Sequence, residues 1–298
     1  EVVSAQDPFE YGYVAMKAVG GTTARLHVQV HTDFCSPWFI KGTTHRGPTV
    51  SMPLLNRARR MLADRVLPHA KGTRVVSERL KASLQNRYGS RIPEPVVIPI
   101  SIEMQVPAVV PLPAHPFSFA LITVSRLEAE KRIEDILDAL HRVAKEYPSV
   151  GLFVVGEGRS RARLEELVAQ YGLQERVQFL GQRSDAWGLM QSAQAYIQAS
   201  AYEGYSRTLL EAALARIPII TTDVGIVGEV FKGYEDVLAA PPGDPAALTG
   251  HIKGLVEDMQ MRHTLVMNAE RAAKAHLAAY TNQPVLVAAD LARTLTAV

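Results

Sequence analysis

The sequence predicts an α/β protein with parallel β-sheets. Short apolar segments alternate with longer segments of helical periodicity along most of the 298 residues. Strands that are apolar throughout are typical of parallel sheets covered by helices on both faces. With 47% hydrophobic and 21% charged residues, the chain has the composition of a folded protein, and its length predicts about two domains.

The first predicted domain comprises residues 1–113 and ends in a linker. Four segments before the linker have the residue types of strands: EVVSA, RLHVQVH, TRVVS and VVIPI. The linker, VPAVVPLPAHPF, contains four prolines in twelve residues. Prolines at that density end both helices and sheets, so we place the domain boundary before residue 114.

The second predicted domain comprises residues 114–280 and alternates strands with helices. Its strands are FALITVS, GLFVVG, VQFLG, AYIQAS, PIITTD and DVLAA. A helical stripe runs from Ile133 to Ala144, Gly172 ends the helix RARLEELVAQYG, and a short helix is expected through Glu229. Ligands of such sheets bind at the carboxyl ends of the strands. Residues 281–298 are predicted to form a C-terminal helix.

The formal charge of +2 conceals a basic region. From Lys41 to Arg91 the sequence has twelve Lys or Arg residues and two acidic residues. Within this region LLNRARRMLADRVL (residues 54–67) alternates apolar and basic positions at helical spacing. Such a helix can contact an anionic membrane surface, bind anionic ligands or present a solvated face, and the sequence leaves these alternatives open. No nucleic-acid recognition motif accompanies the charge, so we expect no nucleic-acid partner.

Cysteine content and hydropathy predict a cytoplasmic location. The single cysteine, Cys35, excludes an intrachain disulfide and fits a reducing compartment. The sequence has no signal peptide, and no apolar run approaches the ~18 residues of a membrane span. A place at the inner face of the membrane follows only if the basic helix binds lipid. Because Glu1 already stands in a strand-like segment, we interpret the chain as a fragment without its true N-terminus.

Two glutamates mark the segment YEGYSRTLLEAALARIP. Glu203 and Glu211 are eight residues apart, which at about 100° per residue places them about 80° away from a shared helix face. The spacing fits better if Glu203 lies on the preceding loop, Glu211 lies within the helix and Ser206 caps its first turn. The amides of residues 205–208 then attract anions. The alternative is that both glutamates are solvated surface residues.

A second polar segment, ITVSRLEAEKRIED, follows the first strand of the same domain. Arg126 leaves the carboxyl end of that strand, and Lys131 lies at the start of the next helix. Two cations at a strand end beside a helix N-terminus can hold a diphosphate. The alternative is that each cation only forms an ion pair with Glu128 or Glu130.

The remaining motifs are weak. The Gly-x-Gly of VVGEGRSR lacks the third glycine of a dinucleotide fingerprint, and a tight strand-to-helix turn explains it better. His27 and His31 are spaced by four residues on a strand, where a core role is the better explanation, and we predict no metal site. His31 remains a candidate because it ends its strand beside Asp33, at a carboxyl end.

With Arg126, Lys131, Glu203 and Glu211 in this order, the chain resembles glycosyltransferase family 4, the retaining enzymes of the GT-B fold. The matching stretches are ITVSRLEAEKRIEDILDAL, LFVVGEG, VQFLG, YEGYSRTLLEAALARIPIITTDVG and PPGDPAAL, which cover nearly all of residues 118–258. The resemblance implies two Rossmann-like domains with parallel sheets. It also implies transfer of a sugar, with retention, from a nucleoside diphosphate sugar to an acceptor that is a sugar, a lipid-linked sugar or another molecule. It implies neither a metal nor a cofactor.

The resemblance implies a role for each matching residue. Arg126 and Lys131 match the pair that neutralises the donor diphosphate, and Glu211 matches the glutamate that holds the ribose hydroxyls. Glu203 and His31 match residues that contact the donor sugar, and they are the candidate catalytic residues. The other donor-binding residues are the match to the nucleobase contact, Leu180, and the matches to the phosphate-binding turn, Ser206, Arg207 and Thr208.

Three features depart from the family pattern. Arg216 stands where the family usually has glycine, and Arg207 replaces a usually apolar residue. Only about four strands precede the linker, whereas a full Rossmann-like half has six or seven, so we expect the N-terminal domain to be incomplete. The alternative function is therefore a sugar-nucleotide-binding module without turnover. A GT-B phosphorylase or epimerase is disfavoured, because neither a pyridoxal lysine motif nor a paired-domain epimerase signature is present.

Overall fold

A computed structural model describes residues 1–41, 52–102 and 105–297, and the chain divides into two units. Unit 1 comprises residues 1–101, 202–205 and 279–298, and unit 2 comprises residues 102–201 and 206–278. The division differs from the predicted boundaries in two respects. The proline-rich residues 102–113 belong to unit 2, and the segment 202–205, which contains Glu203, belongs to unit 1.

Unit 1 contains a parallel sheet whose strands follow the order of the sequence. The strands are β1 (Val2–Ala5), β2 (Arg25–Val30), β3 (Gly72–Val75) and β4 (Val96–Val97). The helices between and around them are α1 (Glu10–Val19), α2 (Pro37–Lys41), α3 (Met52–Val66) and α4 (Glu78–Tyr88). The four predicted strands and the predicted basic helix are therefore confirmed. The last two strands are short, with four and two residues.

Unit 2 contains a six-stranded parallel sheet. Its strands are β5 (Phe119–Val124), β6 (Val150–Val155), β7 (Val177–Gly181), β8 (Ala195–Ile197), β9 (Ile219–Thr222) and β10 (Leu238–Ala240). Its helices are α5 (Ile133–Val143), α6 (Arg161–Gln170), α7 (Ala186–Met190), α8 (Arg207–Leu214), α9 (Pro245–Glu257) and α10 (Met259–Ala279). All six predicted strands form, and the α/β class with parallel sheets is confirmed. The short helix predicted through Glu229 is wrong, because turns occupy that stretch.

The strand order in unit 2 is β10-β9-β8-β5-β6-β7. Counted from β5 as the first strand, this is the doubly wound order 3-2-1-4-5-6 of Rossmann folds. The order reverses between β5 and β8, so the chain leaves these two neighbouring strands in opposite directions. The crevice outside their carboxyl ends is where doubly wound sheets bind ligands.

Helix α5 shows how the sequence periodicity builds the core of unit 2. Its apolar stripe, Ile133, Ile136, Leu137, Leu140 and Val143, is buried against the sheet. Burying one such side chain contributes about 1.5–3 kcal/mol. The first turn also carries Glu134, whose pKa burial raises to about 7. None of the described helices has the length and apolarity needed to cross a bilayer.

The last helix, α11 (Gln283–Thr296), returns to unit 1 and buries polar residues, Asp290 and Thr294. His27 Nε2 lies 2.9 Å from Asp290 Oδ2, and both side chains are almost fully buried. A Cβ atom on Gly72 would lie 2.0 Å from Thr294 Oγ1, so only glycine allows this close approach. The predicted core role of His27 is confirmed, since it ties a strand to this helix.

Candidate functional site at the switch point of unit 2

Two loops flank the point in unit 2 where the strand order reverses. Residues 125–132 follow β5, and residues 198–201 follow β8. The amide of Ala201 donates a hydrogen bond to the carbonyl oxygen of Glu130 at 2.8 Å, which joins the two loops. The loop after β5 and the unit 2 residues that follow β8 therefore lie at the same edge of one sheet.

The Gly-x-Gly segment supports the first of these loops. Gly156 has φ 132°, and a Cβ atom on it would lie 1.8 Å from the carbonyl oxygen of Ser125. The amide of Leu127 donates to the carbonyl oxygen of Glu157 at 2.8 Å. The interpretation as a tight strand-to-helix turn is confirmed, and the turn packs against the β5 loop. In that loop the buried Ser125 hydroxyl has no hydrogen-bond partner among the described residues.

The predicted diphosphate pair, Arg126 and Lys131, lies on the β5 loop. Arg126 forms an ion pair with Glu130 at 3.1 Å, and its side chain is 72% exposed. The pairing with Glu130 is the alternative that the sequence left open for this residue. Glu130 is largely buried, at 14% exposure, so it is the exposed guanidinium that can turn from this carboxylate to a ligand anion. Lys131 ends a short 3₁₀ turn that precedes α5.

Arg132, which the sequence analysis did not select, is the largest fully buried side chain among the residues that the structure describes. It has φ 48° in the left-handed region, at the start of α5. Its Nε and Nη2 atoms donate to the two carboxylate oxygens of Asp135 at 2.5 and 2.9 Å. A bidentate pair of this kind fixes the junction between the loop and the helix. In the sequence the Lys-Arg-Ile-Glu-Asp stretch resembles an exposed helix start and gives no such signal.

Ser206 stands at the N-cap position of α8, but its side chain makes no cap hydrogen bond. The residue has φ 74° and ψ 63°, in the left-handed region, and not the extended conformation typical of a helix cap. Gln198 Nε2 donates to Ser206 Oγ at 3.4 Å instead. The prediction of a serine cap is therefore wrong, while the predicted helix start is confirmed.

A buried polar network under the start of α8 was also missed. The Tyr196 hydroxyl donates to Thr208 Oγ1 at 2.9 Å, and Thr208 Oγ1 donates to Gln198 Oε1 at 3.2 Å. Together with the bond from Gln198 to Ser206, these contacts join β8 to the first turn of α8. The sequence held one signal, because Gln198 follows directly on the apolar strand segment Ala195–Ile197 and a buried glutamine there needs partners.

Glu211 lies one turn into α8 and is mostly buried. Its Oε1 atom accepts from Arg207 Nε at 2.9 Å. Burial raises the pKa of Glu211, and Arg207 opposes this shift. Arg207 itself is largely exposed, so the usually apolar position accommodates it by directing the side chain to solvent and to Glu211.

His31 and Glu203, the candidate catalytic residues, both belong to unit 1. Gly204 packs against the backbone of His31, since a Cβ atom on Gly204 would lie 1.9 Å from the His31 carbonyl oxygen. Ser77 Oγ donates to the carbonyl oxygen of Gly204 at 2.8 Å. These backbone contacts bring the segment that carries Glu203 to the carboxyl end of β2.

The environment of His31 favours its neutral form. Burial lowers the pKa of His31, and the nearby Arg74 lowers it further, while Asp7 acts in the opposite direction. A neutral imidazole near pH 7 can accept a hydrogen bond at one nitrogen and donate one at the other.

The other predicted donor-binding residues belong to unit 2. Leu180 is half-buried in β7, the strand at one edge of the sheet. On the same strand the ring of Phe179 packs against Arg161, whose guanidinium lies 4.4 Å from the ring centroid. The predicted phosphate-binding turn, Ser206 to Thr208, lies at the start of α8.

Comparison with known proteins identifies relatives of this chain. The family model for glycosyl transferases group 1 matches residues 117–272, slightly more than half of the chain. A glycogen synthase of Mycobacterium tuberculosis is 29% identical over 140 residues, which are 46% of this chain and 34% of that protein. The GtfA subunit of a UDP-N-acetylglucosamine–peptide N-acetylglucosaminyltransferase from Streptococcus agalactiae is 31% identical over 114 residues, 38% of this chain and 22% of that protein. The matched part of the chain thus spans about a third or less of these relatives.

Solved structures resemble the chain over nearly its whole length. Sucrose-phosphate synthase from Thermosynechococcus elongatus has a TM-score of 0.81 at 21% identity and matches 97% of this chain and 73% of its own. Anabaena HepE in complex with UDP has a TM-score of 0.75 at 21% identity and matches 97% of this chain and 78% of its own. At such identities the likeness concerns the fold, and it confirms the predicted GT-B class.

Proposed function

The chain belongs to the glycosyl transferases of group 1, and from this membership we propose that it takes part in transferring a sugar from a nucleoside diphosphate sugar to an acceptor. The observation that carries the proposal is the position of the matched residues. The family model covers residues 117–272, which belong to unit 2 except for residues 202–205, and it includes both loops at the switch point of the unit 2 sheet. We further propose that the enzyme belongs to family 4 and acts with retention.

In this proposal Arg126 and Lys131 bind the donor diphosphate. Arg126 is exposed at the carboxyl end of β5, and its present partner is the largely buried carboxylate of Glu130. The first-turn amides of α8 supply a second set of donors for phosphate oxygens. Cations and amides together can stabilise the charge that develops on the leaving diphosphate, so we propose that transfer needs no divalent metal and no cofactor.

The nucleoside and the sugar are assigned to separate residues. Glu211 holds the ribose hydroxyls, and the backbone near Leu180 contacts the nucleobase. Glu203 and His31 contact the donor sugar. The neutral imidazole favoured at His31 suits an uncharged sugar hydroxyl, since it can accept a hydrogen bond from it. The acceptor is a sugar, a lipid-linked sugar or another molecule.

We propose that rapid sugar transfer requires a protein longer than residues 1–298. Among the described residues the sheet of unit 1 has four strands, and the matched relatives are considerably longer than the matched segment. We therefore propose that an additional N-terminal segment completes the domain and that residues 1–298 alone bind the donor without rapid transfer.

The test is isothermal titration calorimetry of the chain with UDP-glucose, GDP-mannose and ADP-glucose, each with and without EDTA. We expect one donor to bind at least about tenfold more tightly than the others, because the nucleobase contact discriminates, and its affinity to be the same in EDTA. Loss of binding in EDTA would contradict metal independence. Failure of every donor to bind would overturn the proposed function.

A further inference from the structure

Helix α3 presents apolar side chains to solvent. Leu54, Leu55 and Met61 are 63%, 43% and 72% exposed, whereas Ala63 and Val66 are fully buried. At about 100° per residue, Leu54 and Met61 lie about 20° apart and on the side of the helix opposite Ala63. The folding of unit 1 therefore does not account for these three side chains.

Cations border the same side of the helix. Arg57 and Arg65 are exposed and lie within about 60° of Leu54 around the helix axis. Neither forms an ion pair with another residue in the described part of the chain. By contrast, Arg59, which is turned toward α1, pairs with Glu10 at 2.9 Å.

The acidic residue of this side is already neutralised. Asp64 accepts three hydrogen bonds from Arg87, one from Nε at 3.0 Å and two from Nη2 at 2.8 Å, and a fourth from the Tyr88 hydroxyl at 2.7 Å. The outer face of α3, defined here as Leu54, Leu55, Arg57, Met61 and Arg65, therefore combines apolar side chains with uncompensated positive charge.

We propose that the outer face of α3 docks on a membrane surface that carries anionic lipid headgroups. Leucine and methionine side chains on one side of a helix can enter the boundary between headgroups and acyl chains, while arginines pair with lipid phosphates. The charge of this face favours a membrane as its partner. Arginines without an ion-pair partner, next to separate apolar side chains, suit a surface that is both anionic and deformable. This inference is independent of the donor site and of the proposed reaction.

The position of the charged groups decides how salt acts on this contact. Phosphate contacts by exposed arginines weaken as the Debye length shortens, whereas insertion of Leu54 and Met61 does not depend on salt in this way. Binding should therefore fall with added salt but keep an apolar remainder. Substitution of the arginines should remove the salt-dependent part alone.

The experiment is co-sedimentation of the chain with phosphatidylcholine vesicles, with and without phosphatidylglycerol, at low and high salt. We expect binding to the anionic vesicles at low salt and about tenfold weaker binding by the double variant Leu54→Glu/Met61→Glu. Arg57→Gln/Arg65→Gln should bind more weakly and lose most of the salt dependence. The matched control is Met259→Glu, which replaces an equally exposed methionine, 74% accessible, on α10 and should bind like the wild type.

Three outcomes would overturn the proposal. The first is equal binding to neutral and anionic vesicles, and the second is an equal loss in Met259→Glu and in the double variant. The third is an oligomer, seen by sedimentation velocity without lipid, that Leu54→Glu/Met61→Glu dissociates, because the outer face would then join copies of the chain. Circular dichroism of each variant establishes that it is folded, and the exposure of the substituted side chains leads us to expect wild-type spectra.

Discussion

Gly204 lies directly against the carbonyl oxygen of His31, 1.9 Å from where a Cβ atom on Gly204 would stand. No side-chain rotation can relieve that contact, because the opposing atom belongs to the backbone. Gly204→Ala should therefore lower the free energy of unfolding by about 1–3 kcal/mol, as measured by urea denaturation. The matched control is Gly250→Ala in α9, where nothing lies within 4 Å of the added atom and the helix should gain about 0.5–1 kcal/mol. Similar effects of the two substitutions would mean that the segment 202–205 is not packed as described.

Arg126→Ala should weaken a nucleoside diphosphate about tenfold or more, since a charge-assisted hydrogen bond contributes roughly 1.5–3 kcal/mol. The affinity for the nucleoside alone should change little, because the guanidinium is assigned to the phosphates. Calorimetry with UDP and with uridine measures both affinities. If the protein prefers another base, the nucleoside diphosphate and the nucleoside of that base are used instead. Arg142→Ala on α5 is the control, as this arginine also forms an exposed (i, i+4) ion pair, with Asp138 at 2.9 Å. Equal losses for diphosphate and nucleoside would show that Arg126 acts on the structure of the loop.

Glu211→Gln and Glu203→Gln should weaken the binding of different ligands. Glu211 is assigned to the ribose, so its substitution should weaken the nucleoside diphosphate about ten- to a hundredfold. Glu203 is assigned to the sugar, so Glu203→Gln should change the affinity for nucleoside diphosphate by less than about twofold and weaken only the sugar donor. Each variant is the control for the other in the same titrations. Two solvated glutamates would instead leave both affinities unchanged.

Arg216→Gly should stabilise unit 2. Arg216 follows the end of α8 with φ 59°, a left-handed position that glycine occupies at the lowest cost. Its ion pair with Glu270, at 3.2 Å, is exposed on the arginine side and contributes little. We expect a gain of about 0.5–1 kcal/mol in the free energy of unfolding, measured by urea denaturation. Arg216→Ala loses the same ion pair but keeps the strained backbone, so it should be neutral or slightly destabilising.

Glu134→Gln should change how stability depends on pH. Burial raises the pKa of Glu134 from 4.5 to about 7, so the folded state binds this proton more tightly than the unfolded state. Its contribution to stability is complete below about pH 4.5 and is lost as the pH rises through about 7. Urea denaturation should therefore show little effect of the substitution at pH 4.5 and a relative stabilisation that grows up to about pH 7. Glu166→Gln on α6, an exposed glutamate, should show no such trend.

The sequence predicts well what depends on local periodicity. The strands of both sheets are found because buried parallel strands are continuous apolar segments, and the stripe of α5 is found because its spacing repeats with the helix turn. The candidate loops were selected for a similar reason, since residues that follow parallel strands meet at one sheet edge. In each of these cases neighbours in sequence determine the outcome.

The failures concern residues whose conformation depends on distant partners. Ser206 has the residue type of a helix cap, but it adopts a left-handed conformation in which Gln198 binds its hydroxyl. Arg132 looks like a solvated cation and is instead buried against Asp135. The assignment of residues 202–205 to unit 1 was also not predictable, because it rests on contacts with His31 and Ser77, far away in sequence. The local sequence pattern contains no information about such distant partners.

The pairing of His27 with Asp290 spans 263 residues of sequence, and this separation has a consequence for biosynthesis. At about 5–20 residues per second, the ribosome needs roughly 10–50 s after completing His27 before it completes Asp290. During the later part of that interval the nascent chain carries β1 to β4 without the helix that contacts His27 and Gly72. All of unit 2 has by then been translated, since its last residue is Ala278. Unit 1, whose strands are translated before unit 2, is thus the last of the two units to acquire its full set of native contacts.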